Sequence, residues 1–274
     1  MIKRAIKGYD IIGNIAILKF EEKTSLKDKK EEASKFLLSH KNITTILEKT
    51  EKIKGKLRTY KTRYILGKKT RETIHKENNC LFKLDVEKCY FSPRLSNERL
   101  EISEKIKKLK KKKEILVLFA GVAPFSIIIA KNNIWSNVYS IELNKIASKY
   151  AEENVKLNKL KNIQIIQGDV KKLDSITKKE KLPKKYDIIV MPRAQLKETF
   201  LKEALKVAKK GTVIYYYDFC MEKEICERVK EIQKEIKAYK KKISVPKIKN
   251  AGDIAPYKFR YLIEFEIKWK TGKK

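Results

Sequence analysis

Ile115-Leu116-Val117-Leu118-Phe119-Ala120-Gly121-Val122-Ala123-Pro124-Phe125 reads as a buried strand, a tight turn of small residues and the proline-led start of a helix. Small residues at such a turn let backbone N–H groups approach a ligand at the helix N-terminus. Twenty-one residues past Gly121, at the end of the next apolar run, stands Glu142, where a carboxylate can accept hydrogen bonds from two ribose hydroxyls. Gly168-Asp169 closes a third run, from which a carboxylate can bind an adenine amino group. Three strand ends in step describe a nucleotide-type site. The dinucleotide pattern G-x-G-x-x-G is absent, because Ala123 and Ser126 occupy the places of its later glycines. S-adenosylmethionine, which carries no pyrophosphate for those glycines to cradle, therefore fits better than NAD. The alternative, in which Gly121 merely turns the chain and Glu142 is a surface acid, stays open on these residues alone.

Outward from this turn, strand-length apolar runs at 115–119, 138–141, 163–166, 186–191 and 212–217 alternate with helical stretches at 124–131, 146–157, 196–208 and 221–239. That rhythm predicts an α/β fold with a doubly wound parallel sheet. Two further β-type segments, 243–246 and 257–269, follow, the second long and alternating, as expected of an antiparallel edge. Upstream, residues 9–20 alternate around Gly13 as strand, turn and strand. A helix over 26–38 is predicted behind Thr24 and Ser25, then β-type runs at 43–47, 63–66 and 81–86. The expected organisation is an N-terminal α/β domain over 1–95, a connector helix over 96–112 and a larger domain over 113–274. Leu95, Ile102, Ile106 and Leu109 would form the buried face of the connector.

With 67 Lys and Arg against 34 Asp and Glu, the 274-residue chain carries a formal charge of +33, more than solubility requires. A polyanionic partner explains the excess economically, and nucleic acid leads that class. Lysine-rich composition also arises from adaptation to heat, a second source of the same bias. An anionic membrane is the rival partner, but no apolar run has the length to span a bilayer and the N-terminus lacks a signal-type segment. Cys80, Cys89, Cys220 and Cys226 show neither paired metal spacing nor a disulfide framework, so a reducing cytoplasm is the default.

Between the two halves lies Tyr90-Phe91-Ser92-Pro93-Arg94-Leu95-Ser96-Asn97-Glu98-Arg99. Pro93 biases Ser92 away from helix, Ser96 or Asn97 can cap the helix that follows, and Glu98 falls in its first turn, where the dipole favours a negative charge. The cluster reads as a reaction centre or, equally well on local pattern, as a solvated helix entry.

Together these segments resemble the archaeal and eukaryotic tRNA (guanine-37-N1)-methyltransferase family and its wyosine-pathway relatives. The resemblance covers nearly the whole chain and rests on residues 9–18, on His75-Lys76-Glu77-Asn78, on residues 90–99, on residues 119–125, on Ile141-Glu142-Leu143-Asn144, on Gly168-Asp169 and on Ala255-Pro256-Tyr257-Lys258-Phe259. It implies a class I methyltransferase domain of Rossmann type joined through a helix to a smaller domain, with the guanosine 3′ of the anticodon bound between them. It further implies Glu98 as general base, Arg58 at the base O6, Tyr90 positioning cofactor or base, and Arg99 orienting Glu98 or a phosphate. Cofactor contacts would come from Phe119, Gly121, Val122, Ala123, Glu142, Leu143, Asp169, Met191 and Pro192, and substrate contacts from Arg94 and Arg193. The lysine runs 105–113, 178–185 and 240–249 are collectively expected to meet the tRNA anticodon stem-loop, with the protein a monomer. The cofactor loop and the strand-four motif depart from the family pattern: Val117 stands for an acid, Ala123 for a glycine, and Val190-Met191-Pro192-Arg193 for a motif that usually begins with asparagine. An altered pocket wall is where a second activity, methylation of 4-demethylwyosine at a ring carbon, would show. Transfer of the aminocarboxypropyl group of the same cofactor, and tRNA binding without catalysis, are the two rival readings.

Overall fold

The computed structural model describes residues 6–51, 55, 57–193 and 198–268. β1 (Ile6–Ile12) and β2 (Ile15–Phe20) form a hairpin on Gly13, whose φ of +57° and contact with Thr73 and the Ile74 carbonyl leave no space for a side chain. α1 (Leu26–Ser39) starts at Ser25, whose Oγ accepts a hydrogen bond from Asp28 N at 3.1 Å. β3 (Thr45–Lys49) lies parallel to β2, and β4 (Thr62–Gly67) antiparallel to β3, completing a sheet ordered β1-β2-β3-β4.

β5 (Glu72–Glu77) and β6 (Cys80–Asp85) make a separate hairpin, turned by Asn78 and Asn79 in left-handed conformations. β5 escapes sequence reading because its inward positions are Thr73, His75 and Glu77, which give no apolar alternation. α2 (Ser96–Lys107) ends at Lys107 rather than at Lys112. Lys110 turns left-handed and Leu109 is 44% exposed, so Leu109 does not belong to the buried face. A run of like charges with no apolar stripe gives a helix no reason to continue there.

The larger sheet is built from β7 (Glu114–Leu118), β8 (Asn137–Glu142), β9 (Ile163–Gln167), β10 (Tyr186–Met191), β11 (Ala208–Met221), β12 (Lys242–Ile243), β13 (Lys247–Ala255) and β14 (Lys258–Lys268). Its order is β12-β14-β11-β10-β7-β8-β9, with β7 to β11 parallel and β14 antiparallel between β11 and β12. β13 also pairs with β14, so the long C-terminal strand is interior, not the expected edge. Its consecutive buried residues Tyr261, Leu262 and Ile263 fill both faces, which an edge strand has no cause to do.

α2 and α3 (Pro124–Asn132) cover one face of this sheet, where Ile102, Ile106 and Ile129 pack on Val117, Val190 and Tyr215. α5 (Leu173–Lys179), α6 (Leu201–Val207) and α7 (Ile225–Ala238) cover the other, where Leu173, Leu205 and Ile232 join Leu116, Ile189 and Ile214 in one core. α6 starts later than the expected 196–208 stretch, and residues 194–197 lie outside the described residues. α4 (Lys145–Leu157) locks the two halves of the chain together. Asn154 Oδ1 accepts from Lys83 N at 2.7 Å, Asn158 Oδ1 accepts from Leu81 N at 2.9 Å, and Phe82, Phe91, Val122 and Tyr150 share a core with Ile15 and Leu47.

Candidate active site

The C-terminal ends of β7, β8 and β9 are tied to one another by backbone and carboxylate hydrogen bonds. After β7, Phe119, Gly121 and Ala123 all take positive φ, at 59°, 59° and 65°, and Pro124 then opens α3. The Gly121 N–H donates to Glu142 Oε2 at 2.7 Å and the Asn144 N–H to Oε1 at 2.7 Å. Burial lifts the Glu142 carboxyl above its ordinary range, against the opposing effect of these N–H groups. A carboxylate has about four lone-pair sites, so both oxygens keep acceptor capacity for ribose hydroxyls. Gly168 N donates to the Glu142 carbonyl at 2.8 Å, and Asp169 Oδ1 accepts from Lys171 N at 2.9 Å.

These strand ends open into a cleft of about 1270 Å³, the solvent space of its mouth included. Phe119, Gly121, Glu142, Leu143, Asp169 and Pro192 line one part of it, and Arg58, Tyr90, Tyr217, Phe219 and Arg260 another. The first group fits S-adenosylmethionine: two carboxylates for an adenosine, a glycine turn without a side chain and apolar walls from Phe119, Leu143 and Pro192. Val122, Ala123 and Met191 are fully buried and do not line the cleft, so they support this wall from behind. The Val122 carbonyl accepts from Asn154 Nδ2 at 3.2 Å, which fixes the loop from below.

In the second group, the Arg58 guanidinium lies 4.6 Å from the Tyr90 ring centroid, in cation–π contact. Its Nε is buried and makes no hydrogen bond among the described residues. Ser92 is extended and Pro93 opens a short 3₁₀ turn, as the proline implies. Neither Ser96 nor Asn97 caps α2: Ser96 is already helical, and its carbonyl accepts from Asn78 Nδ2 at 2.9 Å. Arg99 is 1% exposed and binds Glu77 through Nε and Nη2 at 2.5 and 2.6 Å, with a third bond to the Ser92 carbonyl at 3.0 Å. Its guanidinium thus anchors the 90–99 segment to β5 and touches neither Glu98 nor the cleft. His75 packs edge-on to Phe91 at 5.0 Å and accepts from Gly13 N at 3.1 Å, bracing the same segment.

Glu98 is 7% exposed and stands behind the cleft wall rather than in it. Lys249 Nζ donates to Oε1 at 2.6 Å, and Tyr217, a residue of the cleft lining, donates its hydroxyl to Oε2 at 3.4 Å. The two arginines expected to contact substrate are both paired with carboxylates. Arg94 is exposed, pairs with Asp10 at 2.9 Å and lies outside the cleft. Arg193 borders the cleft, but its buried guanidinium is neutralised by Asp218 at 2.9 Å and bonded to the Glu198 carbonyl at 2.8 Å. Sequence reading singles out neither Tyr217, Phe219 nor Arg260, and takes Lys249 only as one of the 240–249 run. Tyr217 and Phe219 sit in an apolar run that reads as core, and Lys249 among many lysines. Arg260 had a legible signal, a lone cation inside an otherwise apolar strand.

Comparison with known proteins places this geometry. Residues 73–246 match the TRM5/TYW2 methyltransferase domain and residues 1–70 the TYW2 N-terminal domain. The chain is 35% identical over 265 residues to the tRNA (guanine(37)-N(1))-methyltransferase Trm5b of Pyrococcus abyssi, covering 95% of this chain and 74% of that protein. It is 36% identical over 313 residues to the tRNA (guanine(37)-N(1))/4-demethylwyosine(37)-methyltransferase Taw22 of Nanoarchaeum equitans, covering 95% and 99%. The crystal structure of Trm5b from Pyrococcus abyssi superposes with a TM-score of 0.80 at 34% identity over 96% of this chain and 76% of that one. A complex of aTrm5 with tRNALeu superposes at 0.78 with 27% identity over 95% and 72%, and TYW2 of M. jannaschii, solved with AdoMet, at 0.68 with 25% identity over 96% and 100%. With a nucleotide-type wall and an aromatic-backed guanidinium in one cleft and a buried carboxylate behind it, the chain belongs to the TRM5/TYW2 family of S-adenosylmethionine-dependent tRNA methyltransferases.

Proposed function

We propose that this protein transfers a methyl group to N1 of guanosine 37 in tRNA. The observation that carries the reading is the pairing of Arg58 on Tyr90 with the Tyr217–Glu98 hydrogen bond across one cleft whose other end is framed by Gly121 and Glu142. The Trm5b and Taw22 relatives, both named for guanine 37, support it. Guanine N1 carries a proton, so its attack on an electrophilic methyl needs a base for that proton and a cation for the charge that spreads to O6.

In this reading Glu142 and Asp169 hold the cofactor's ribose and adenine, and Phe119, Leu143 and Pro192 enclose it. The bound cofactor supplies a methyl on sulfonium sulfur. Tyr90 offers a flat surface to the swung-out base, and the Arg58 guanidinium supplies the cation for O6. Glu98 takes the N1 proton. Because Tyr217 stands between Glu98 and the cleft while Lys249 holds the other oxygen, the carboxylate becomes available as those two partners give way to the base. Arg99 acts by positioning: its bond to Glu77 sets the angle at which α2 presents Glu98.

A second reading is favoured by one observation, the match of residues 1–70 to the TYW2 N-terminal domain. It makes 4-demethylwyosine a further substrate, taking either a methyl or an aminocarboxypropyl group. The purified chain, incubated with S-adenosylmethionine and a tRNA transcript bearing G37, should yield 1-methylguanosine by mass analysis, and an A37 transcript should yield none. A folded chain that binds cofactor and tRNA yet leaves G37 unmodified overturns the proposal. A four-carbon amino-acid adduct on tRNA carrying 4-demethylwyosine would establish the second reading instead.

A further inference from the structure

Arg260 is 7% exposed and lines the cleft, yet among the described residues its guanidinium makes no hydrogen bond and no ion pair. Other deeply buried guanidiniums are neutralised, Arg99 by Glu77 and Arg193 by Asp218. Arg260 has instead the Phe219 ring, 5.4 Å from its guanidinium carbon, the two residues being cross-strand partners of β11 and β14. Burial pulls its basicity down, and the charges of Arg58 and Arg99 act in the same direction, while the Tyr90 and Tyr217 hydroxyls are close enough to oppose them. Arginine stays charged in such surroundings, so the protein keeps a cation here that the fold itself does not neutralise.

Its place along the sheet says what it faces. β8 and β9, whose ends carry Glu142 and Asp169, lie on one side of β7, and β10, β11 and β14 on the other. Arg260 therefore stands at the end of the cleft away from the adenosine-binding carboxylates, with Arg58, Tyr90 and Tyr217.

The geometry points to Arg260 as a second cationic contact for the target nucleotide, taking one of its oxygen anions: a phosphate oxygen, or the O6 that gains charge as N1 is methylated. The inference rests on the reading of this cleft as the guanosine site and deepens it. Arg58 and Arg260 would then bracket the nucleotide from the two halves of the chain, one from the segment before β4 and one from β14.

Three variants test it: Arg260→Met, Arg260→Gln and Arg260→Lys, each measured beside the wild type. The readouts are dissociation of fluorescently labelled G37 tRNA over a range of KCl, the single-turnover methylation rate at saturating tRNA, cofactor affinity by calorimetry, and thermal melting. Met and Gln are expected to lose roughly 10- to 100-fold in tRNA affinity or in single-turnover rate, as for a charge-assisted hydrogen bond, while Lys retains part of the function. Phosphate binding would weaken tRNA affinity and reduce the salt slope by about one at an unchanged saturated rate. Contact with O6 would slow the saturated rate at unchanged affinity and slope. In both cases cofactor affinity stays at the wild-type value and Arg260→Met melts no lower than wild type, because it removes an uncompensated charge.

Four results overturn the inference. These are wild-type affinity and rate in Met and Gln, a loss confined to cofactor affinity, a lower melting temperature in Met, and failure of both Met and Gln to fold. A wild type that binds tRNA but does not methylate it counts against the guanosine-37 reading, and leaves the tRNA-affinity comparison to decide Arg260.

Discussion

Lys249 Nζ lies 2.6 Å from Oε1 of Glu98, so the carboxylate proposed to accept the guanine proton is held by a cation from a strand 151 residues further along the chain. The same ammonium bonds Glu101, one helical turn beyond. Burial lowers the basicity of Lys249, but the hydrogen bonds to Glu101 and Glu98 outweigh it and leave the ammonium firmly protonated. The proposed base is thus held in an ion pair.

Removing the base and keeping its shape isolates its role. Glu98→Gln should slow single-turnover methylation by roughly 10²–10⁴-fold, the usual contribution of a positioned proton acceptor, with tRNA and cofactor affinities near wild type. A rate within a few-fold of wild type would remove Glu98 from the mechanism.

The Tyr217 hydroxyl is the cleft-facing neighbour of Glu98, and burial together with the nearby Glu98 charge keeps it protonated well above neutral pH. Tyr217→Phe preserves the ring against Phe125, 5.6 Å away, and deletes one donor to the carboxylate. Because this hydroxyl gives way to the base in the proposed reaction, its loss should raise the saturated methylation rate, with melting changed little, since at 3.4 Å the bond is long for an O–H donor. An unchanged rate would show that the hydroxyl serves packing alone.

Glu77 and Arg99 should govern acid stability. Burial raises the Glu77 carboxyl, but hydrogen bonds from His75 and Arg99 and the charge of Arg99 prevail and set it below its ordinary 4.5. A depressed carboxyl stabilises the fold above its unfolded pKa, and that stabilisation is lost as pH falls through the folded value. Glu77→Gln should therefore destabilise by about 3–5 kcal/mol at neutral pH, because it strands a buried guanidinium. Melting curves of wild type and variant should converge below pH 4.5. A gap independent of pH would mean that Glu77 acts by shape.

Ala123 caps α3 from the left-handed region with its methyl fully buried. Ala123→Gly relieves the backbone and loses the methyl, so the two effects should cancel to within about 1 kcal/mol. Ala123→Val forces a β-branched side chain into the same φ and should cost about 2–3 kcal/mol or more. Thermal melting separates them, and a tolerated valine would contradict the loop conformation.

Much of the site was legible because it depends on local order. Gly121, Glu142 and Asp169 end successive parallel strands, and strands of a parallel sheet end side by side, so spacing alone brings them together. Residues 90–99 announced a helix entry through Pro93 and Glu98. The direction of each side chain was not legible. Glu98, Arg99, Arg94 and Arg193 look alike in a basic sequence, yet each is matched to a different partner by strands distant in sequence: Lys249, Glu77, Asp10 and Asp218. β14 read as an edge because alternation reports which face is buried and says nothing of what pairs along the strand's sides.

From the amino-acid order alone came the α/β architecture, the cofactor-type strand ends and the candidate residues Glu98 and Arg58, since these follow from hydrophobic period, turn chemistry and a family resemblance carried by short segments. Tertiary structure alone decided which charges are neutralised and which face the cleft. Ion pairing depends on distance in space, and only folding brings β13 and β14 against α2, placing Lys249 on Glu98 and leaving Arg260, among the described residues, without a carboxylate.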